Sequence, residues 1–370
     1  MRGNNVLGII FSSIGENFIR ELTEQRTMAS VPFGGRYRLI DFPLSNMVNS
    51  GINKVAVITK SNYQSLMNHL GSGKSWDLSR KRDGLFIFPP FGNSNKDFKS
   101  RISMLSAIIN FIKNSKEEYV LLSDCNTICN IDFRKVLDEH VKNKADITLI
   151  YRKDVILKKV DTLTLNLRAN KRVEEIKIQP KDVGTCNVYM NMSIINKDLL
   201  IHFISKCISE NKCDYNRDVL IANVSNFRFF AYEFKGFSRD IMSLGSFFEA
   251  NMLLMNNEIR NELFSRDVPI YTKVRDDMPT RYGESSNVKN SLIGNGCVID
   301  GNVENSIIFK GVKIGKGTKV SNCIIMQDTS IGTDCKLSYI IADKDIKINN
   351  ERILMGFRSY PVYISKASVV

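Results

Sequence analysis

Cysteine, histidine and basic side chains are where this 370-residue chain could do chemistry, and their spacing limits what that chemistry can be. The eight cysteines (Cys125, Cys129, Cys186, Cys207, Cys213, Cys297, Cys323 and Cys335) are scattered and include no C-x-x-C pair. That spacing argues against a zinc site and a disulfide framework and reads as reduced, mostly buried thiols. The three histidines, His69, His140 and His202, all fall in the first 202 residues. Basic residues outnumber acidic ones by 52 to 39, a net charge of +13, which points to anionic partners such as phosphorylated metabolites and nucleotides. The charge is spread out, and the dense run Arg80, Lys81 and Arg82 has no interleaved aromatics, so nucleic acid is not an expected partner.

Phosphate chemistry needs a scaffold that aims backbone and cations at one place. With 43% hydrophobic residues the chain can bury a sizeable core, and its length suggests two domains. The apolar runs 6–11 (VLGIIF), 55–58, 119–122 and 147–150 are separated by helix-length segments, the rhythm of an α/β domain with a largely parallel sheet. A ligand would then sit at the carboxyl ends of the strands. Leu244, Phe248, Met252, Met255, Ile259 and Leu263 recur at helical spacing and predict one closing helix. The polar stretch DDMPTRYGESSN at 276–287 marks a boundary, giving a first domain over 1–265, a linker over 266–287 and a second domain over 288–370. No opening stretch has the make-up of a signal peptide and no apolar run approaches the roughly 18 residues of a membrane span, so a cytoplasmic protein without a membrane partner is expected.

Beyond the boundary the chain repeats itself. I-G-N-G-C-V-I (293–299), I-G-K-G-T-K-V (314–320) and I-G-T-D-C-K-L (331–337) each place aliphatics six residues apart around a glycine. Between them NSLI, NSIIF, NCII and SYIIA recur every 15 to 17 residues, close to three hexapeptides per turn. This is the pattern of a parallel β-helix, in which each coil buries its aliphatics only by stacking on the next. Acyltransferases built on such coils rely on a histidine there, and these coils have none.

The segment V-P-F-G-G-R-Y-R-L-I-D-F-P-L-S-N (31–46) followed by N-S-G-I (49–52) resembles the loop and helix start of ADP-glucose pyrophosphorylases (glucose-1-phosphate adenylyltransferases) almost residue for residue. H-L-G-S-G-K-S-W-D-L (69–78), F-P-P (88–90), P-I-Y-T (269–272) and the coil repeats extend the resemblance along the whole chain. It implies a Rossmann-like nucleotidyltransferase domain with a mostly parallel sheet, followed by a left-handed β-helix. It also implies a tetramer that makes ADP-glucose and pyrophosphate from ATP and glucose 1-phosphate with magnesium, for glycogen or starch synthesis.

Attack of a sugar phosphate on ATP needs close backbone approach to the phosphates, positive charge on them, and a metal. Where active members of the family carry G-G-x-G-x-R-L, this chain has Ser12-Ser13-Ile14-Gly15-Glu16-Asn17, with acidic Glu16 and neutral Asn17 near the place of the arginine. In the family's R-A-K-P-A-V the lysine is replaced here by Met28, which cannot donate a charged hydrogen bond to a phosphate. Asn126 stands at the family's first magnesium aspartate, with Asp124 two residues earlier on the same strand face. The second metal aspartate is retained as Asp240, a vestige without its mate. At the glucose 1-phosphate motif E-K-P the chain reads Ile178-Gln179-Pro180, and Lys177 could serve only if the alignment slipped.

The basic residue after F-G-G helps bind phosphorylated effectors in the family, which makes Arg36, with Arg38, the expected effector-binding residues. The pattern as a whole resembles GlgD-type subunits. It implies an inactive or weakly active regulatory chain in a hetero-tetramer with an intact paralogous catalytic subunit, answering to a phosphorylated sugar and holding no magnesium productively. The alternatives are a working nucleotidyltransferase and a scaffold or sugar-phosphate sensor without an enzyme partner.

Overall fold

Val6–Phe11 is buried along its whole length and lies at the centre of a mixed sheet, parallel to Lys54–Ile58 on one side and Tyr119–Asp124 on the other. The computed structural model describes residues 3–80, 83–90, 100–156, 162–178, 184–274 and 276–370. Alternate side chains of the central strand enter two cores: Leu7, Ile9 and Phe11 join one face, Val6 and Ile10 the other. That two-sided burial explains the unbroken aliphatic run. A Cβ added at Gly8 would stand 2.6 Å from Met47 Sδ, so this glycine lets helix Asp41–Asn49 lie directly against the strand.

The parallel arrangement holds for these strands and for Gly84–Phe88 at the edge. On the far side Gly184–Asn196 runs antiparallel to both Tyr119–Asp124 and Ile147–Ile156. Leu163–Leu167 and Val173–Ile178 form an antiparallel pair beyond it, and Phe229–Glu233 runs parallel to Ile147–Ile156. The expected closing helix is two helices, Leu244–Met252 and Asn257–Leu263, separated at Asn256. Asn256 is extended (φ −73°, ψ 124°) and its side chain accepts from the Glu258 and Ile259 amides, so it starts the second helix rather than continuing the first.

The repeats fold as a left-handed parallel β-helix of three five-stranded sheets. Its first strand, Arg281–Tyr282, pairs with Val298–Ile299, so coiling begins inside the stretch assigned to the linker. Ile299, Val303, Ile308, Ile314, Val320 and Ile325 fill the coil interior with Cys297, Cys323 and Cys335. Asn290, Asn305, Asn322 and Tyr339 turn successive corners at φ of 41°, 47°, 52° and 54°. Asparagine suits such left-handed corners.

One sheet of the β-helix faces the first domain. Ile307, Phe309, Ile324 and Met326 share a core with Phe33, Phe42 and Phe247. Among the described residues no helix is long and apolar enough to cross a membrane.

Candidate functional site

The carboxyl ends of Val6–Phe11 and Tyr119–Asp124 open into a cleft of about 480 Å³ whose walls include Ile14, Phe18, Arg101, Asp124, Asn126 and Asp240. Asp124 closes its strand almost fully buried, gripped by the Nε (3.3 Å) and Nη2 of Arg101. Arg101 begins the helix Arg101–Ala107, whose Ser100 capping box fixes where the side chain starts. Its Nη1 donates to Asn216 Oδ1 at 3.2 Å, and its guanidinium lies 5.9 Å from the Phe11 ring and 6.0 Å from the Tyr215 ring. Burial opposes charge on Arg101, but Asp124 outweighs it and raises the guanidinium's pKa. Burial pushes the Asp124 carboxyl up, Arg101 opposes, and the nearby Asp240 carboxylate pushes it further.

Asp240 is equally committed. It lies in the short antiparallel pair of Ser238–Asp240 with Thr127–Cys129, accepting from Thr127 Oγ1 at 2.7 Å and from Arg152 Nη2 at 2.7 Å. Arg152 also holds Asp154 through Nε at 3.0 Å. Asn126 is buried, its Nδ2 3.4 Å from Met242 Sδ and its Oδ1 without a protein partner. Magnesium prefers anionic oxygens in an octahedral set. Here both carboxylates are neutralised by guanidinium groups and Asn126 offers a neutral oxygen, so the donor set does not fit that ion.

The loop after the first strand is shaped by packing. Ser12 donates its amide to Ile58 O and accepts from the Ala29 amide, both at 3.0 Å. Ile14 and Phe18, not Glu16 and Asn17, line the cleft. Asn17 is exposed, and Glu16 is partly buried with its carboxyl pushed up to about 7 by burial, opposed by Lys60 and the Met28 backbone. The expected carboxylate facing a triphosphate is therefore replaced by an apolar wall. Met28 is fully buried among Ile19, Leu22 and Phe247, so it has become a core residue. Lys177 pairs with Glu175 at 3.3 Å on Val173–Ile178, outside the cleft lining. Gln179 and Pro180, like Lys81 and Arg82, lie outside the described residues.

Arg36 and Arg38 meet in a second cavity, of about 310 Å³, between the first domain and the β-helix, with Lys273, Lys310 and Lys344. Arg36 is exposed and no hydrogen bond or ion pair is formed by it among the described residues. Arg38 Nη1 donates to Ser65 O at 2.7 Å and Ser65 Oγ at 2.8 Å, and burial lowers its guanidinium to about 10. Asp41 binds the Arg38 amide at 3.0 Å and pairs with His69 at 2.6 Å, so it does not neutralise the Arg38 side chain by contact. Against five basic side chains the cavity carries Asp328 and Asp345, and Lys310 pairs with Asp277 at 3.3 Å. Burial, then Arg38 and Arg26, push the Lys344 amine down to about 7.

The motif that contains these arginines is also the joint of the molecule. Gly34 N–H donates to Asn251 Oδ1 at 2.9 Å, Tyr37 stacks on Phe264 at 4.7 Å, and Ser45 and Asn49 hold the segment 269–271. Arg26, at the head of this region, makes a buried two-bond pair with Asp343 of the β-helix at 2.9 and 2.8 Å. Tyr363 also donates to Asp343, at 2.8 Å. Sequence reasoning missed Arg26–Asp343, Arg101–Asp124, Arg152–Asp240 and Lys344. Only their proximity in space could have revealed them.

The chain matches two family models: a nucleotidyl transferase model over residues 18–193 and a GlmU-like C-terminal hexapeptide model over residues 274–357. It is 38% identical to the glycogen biosynthesis protein GlgD of Bacillus subtilis (strain 168), over all of this chain and 98% of that protein. With the GlgD protein of Geobacillus stearothermophilus it shares 39% identity over 86% of this chain and 83% of that one. A glucose-1-phosphate adenylyltransferase of Fusobacterium nucleatum is 32% identical over 86% of this chain and 85% of its own length.

Proposed function

The chain belongs to the ADP-glucose pyrophosphorylase (glucose-1-phosphate adenylyltransferase) family and aligns with its GlgD-type members over their length, and from that premise we propose that it serves glycogen synthesis as a regulatory subunit. In this reading the chain makes little or no ADP-glucose by itself and modulates an intact paralogous catalytic subunit within a hetero-oligomer. The observation that carries it is the charge state of the cleft: Asp124 and Asp240 are tied to Arg101 and Arg152, and Asn126 stands beside them in place of a carboxylate. A metal-bound triphosphate would have to displace buried ion pairs before it could react.

The second cavity supports the regulatory half of the proposal. Five basic side chains around about 310 Å³, of which Lys310 is paired with Asp277 at 3.3 Å, suit a small ligand with more than one phosphate, such as a phosphorylated sugar. Arg36 supplies an unengaged fork, and Arg38 and Lys344 come from the two domains that the cavity separates. A ligand bridging them would change how the domains meet, which is the kind of coupling that regulation of a partner requires.

The test is ADP-glucose synthesis from ATP, glucose 1-phosphate and magnesium by this chain, by its paralogue and by the co-purified pair. Absence of activity in the chain alone, with altered rate or effector response in the pair, is the expected result. Robust synthesis by the isolated chain would overturn the proposal and restore the reading as a working nucleotidyltransferase.

A further inference from the structure

We propose that Arg101 is a built-in counter-cation that occupies the electrostatic place of a divalent metal in the cleft, so that even a carboxylate restored at position 126 binds no divalent ion while Arg101 is in place. The proposal rests on the regulatory reading above and gives it a physical cause. Three groups with oxygens suited to a hard cation converge at the ends of two strands: Asp124 at the end of Tyr119–Asp124, Asn126 two residues on, and Asp240 paired across from Thr127. Ile241 N–H donates to Asn126 O at 2.8 Å, which locks the two segments together.

What separates this arrangement from a cation site is the arginine. Two donors of Arg101 are spent on Asp124 and a third on Asn216, and the aromatic faces of Phe11 and Tyr215 flank the guanidinium. The side chain has little freedom to swing away, being anchored on a capped helix start and only 11% exposed. A fixed guanidinium on Asp124 repels a divalent ion and removes its best ligand at once. Asn126 Oδ1, buried and without a protein partner, is the oxygen left over. Arg152 acts similarly on one oxygen of Asp240, while the other accepts only from a neutral hydroxyl of Thr127.

The experiment measures Mn²⁺ binding to the full-length chain by electron paramagnetic resonance of the free ion, with the shift of melting temperature on adding Mn²⁺ as a second readout. Wild type is expected to leave the ion free. N126D, with Arg101 in place, is expected to gain little. R101A/N126D is expected to bind Mn²⁺ tighter than N126D by roughly a hundred-fold, the order that follows from removing a unit charge beside a divalent ion in a partly buried site. Equal binding by N126D and R101A/N126D would overturn the proposal, as would wild-type binding that D124N abolishes. Should R101A/N126D fold poorly, Mn²⁺ is expected to raise its melting temperature, and strong binding by N126D alone still refutes the role of Arg101. The regulatory reading is judged separately, because ADP-glucose synthesis by the isolated wild type would sink it whatever the metal titration shows.

Discussion

The Lys344 amine sits where two domains and three other cations converge, and its environment turns a common side chain into a pH-sensitive one. Burial lowers its pKa to about 7, with Arg38 and Arg26 adding to the effect, Lys366 contributing and Asp343 opposing. Because this folded-state value lies below the ordinary 10.5, the unfolded chain binds more protons between pH 7 and 10.5, and this group makes stability rise with pH across that window. An anionic ligand reverses the local balance and restores the proton. Binding of a sugar bisphosphate is therefore expected to take up a proton above pH 7, with affinity falling by up to about ten-fold per pH unit between 7.5 and 9. Phosphate itself has finished its second ionisation by then, since that pKa is about 6. Calorimetry in two buffers of different ionisation enthalpy reads the proton directly, and K344M should flatten the profile. Arg36 and Arg38 stand out as effector candidates in the sequence because their motif is a continuous string, and the structure sets both beside one cavity. Lys344 does not, because its depressed pKa comes first from burial in the tertiary fold and then from Arg38 and Arg26, which lie on distant parts of the chain. The same holds for Arg101 and Asp124, which are 23 residues apart in sequence.

Elements were readable in proportion to how strongly their pattern was tied to one face. The β-helix was the plainest, since each coil repeats the same aliphatic and glycine positions and can bury them in one way only. The central strands were plain because a short aliphatic run with both faces buried fits a sheet interior. Gly184–Asn196 escaped for the converse reason: polar residues are interspersed along it, and its direction is set by pairing with strands on both sides. The closing helix was misread as one because apolar spacing continues across Asn256, whereas the break comes from a polar side chain that caps better than it continues. If that cap defines the second helix, N256A should cost about 1 kcal/mol in urea denaturation, with the slope of the transition unchanged. No loss, or a longer continuous helix with greater stability, would mean that tertiary packing alone sets the bend.

At the scale of the molecule, the 31–52 motif lies at the joint between domains. Phe33, Phe42 and Phe247 from the first domain share one core with Ile307, Phe309 and Met326 of the β-helix. Beside that core Arg26 and Asp343 form a buried two-bond ion pair, from residues 317 positions apart. On the regulatory reading proposed above, a chain that does not catalyse could lose its phosphate loop but would have to keep the surface that couples its domains. Such a joint should make the two domains unfold together, giving one calorimetric transition for the wild type. Replacing Arg26 by leucine leaves Asp343, which is 1% exposed, charged and without its guanidinium, a change of about 3–5 kcal/mol. Tyr363 still donates to Asp343 and softens the loss somewhat. In R26L the β-helix should keep its own coil core, since Val303, Val320 and Leu337 stack within it independently of the joint. The first domain should therefore melt earlier and the single transition split in two. A transition that merely shifts down while remaining single would show that the shared apolar core, rather than the ion pair, carries the coupling between domains.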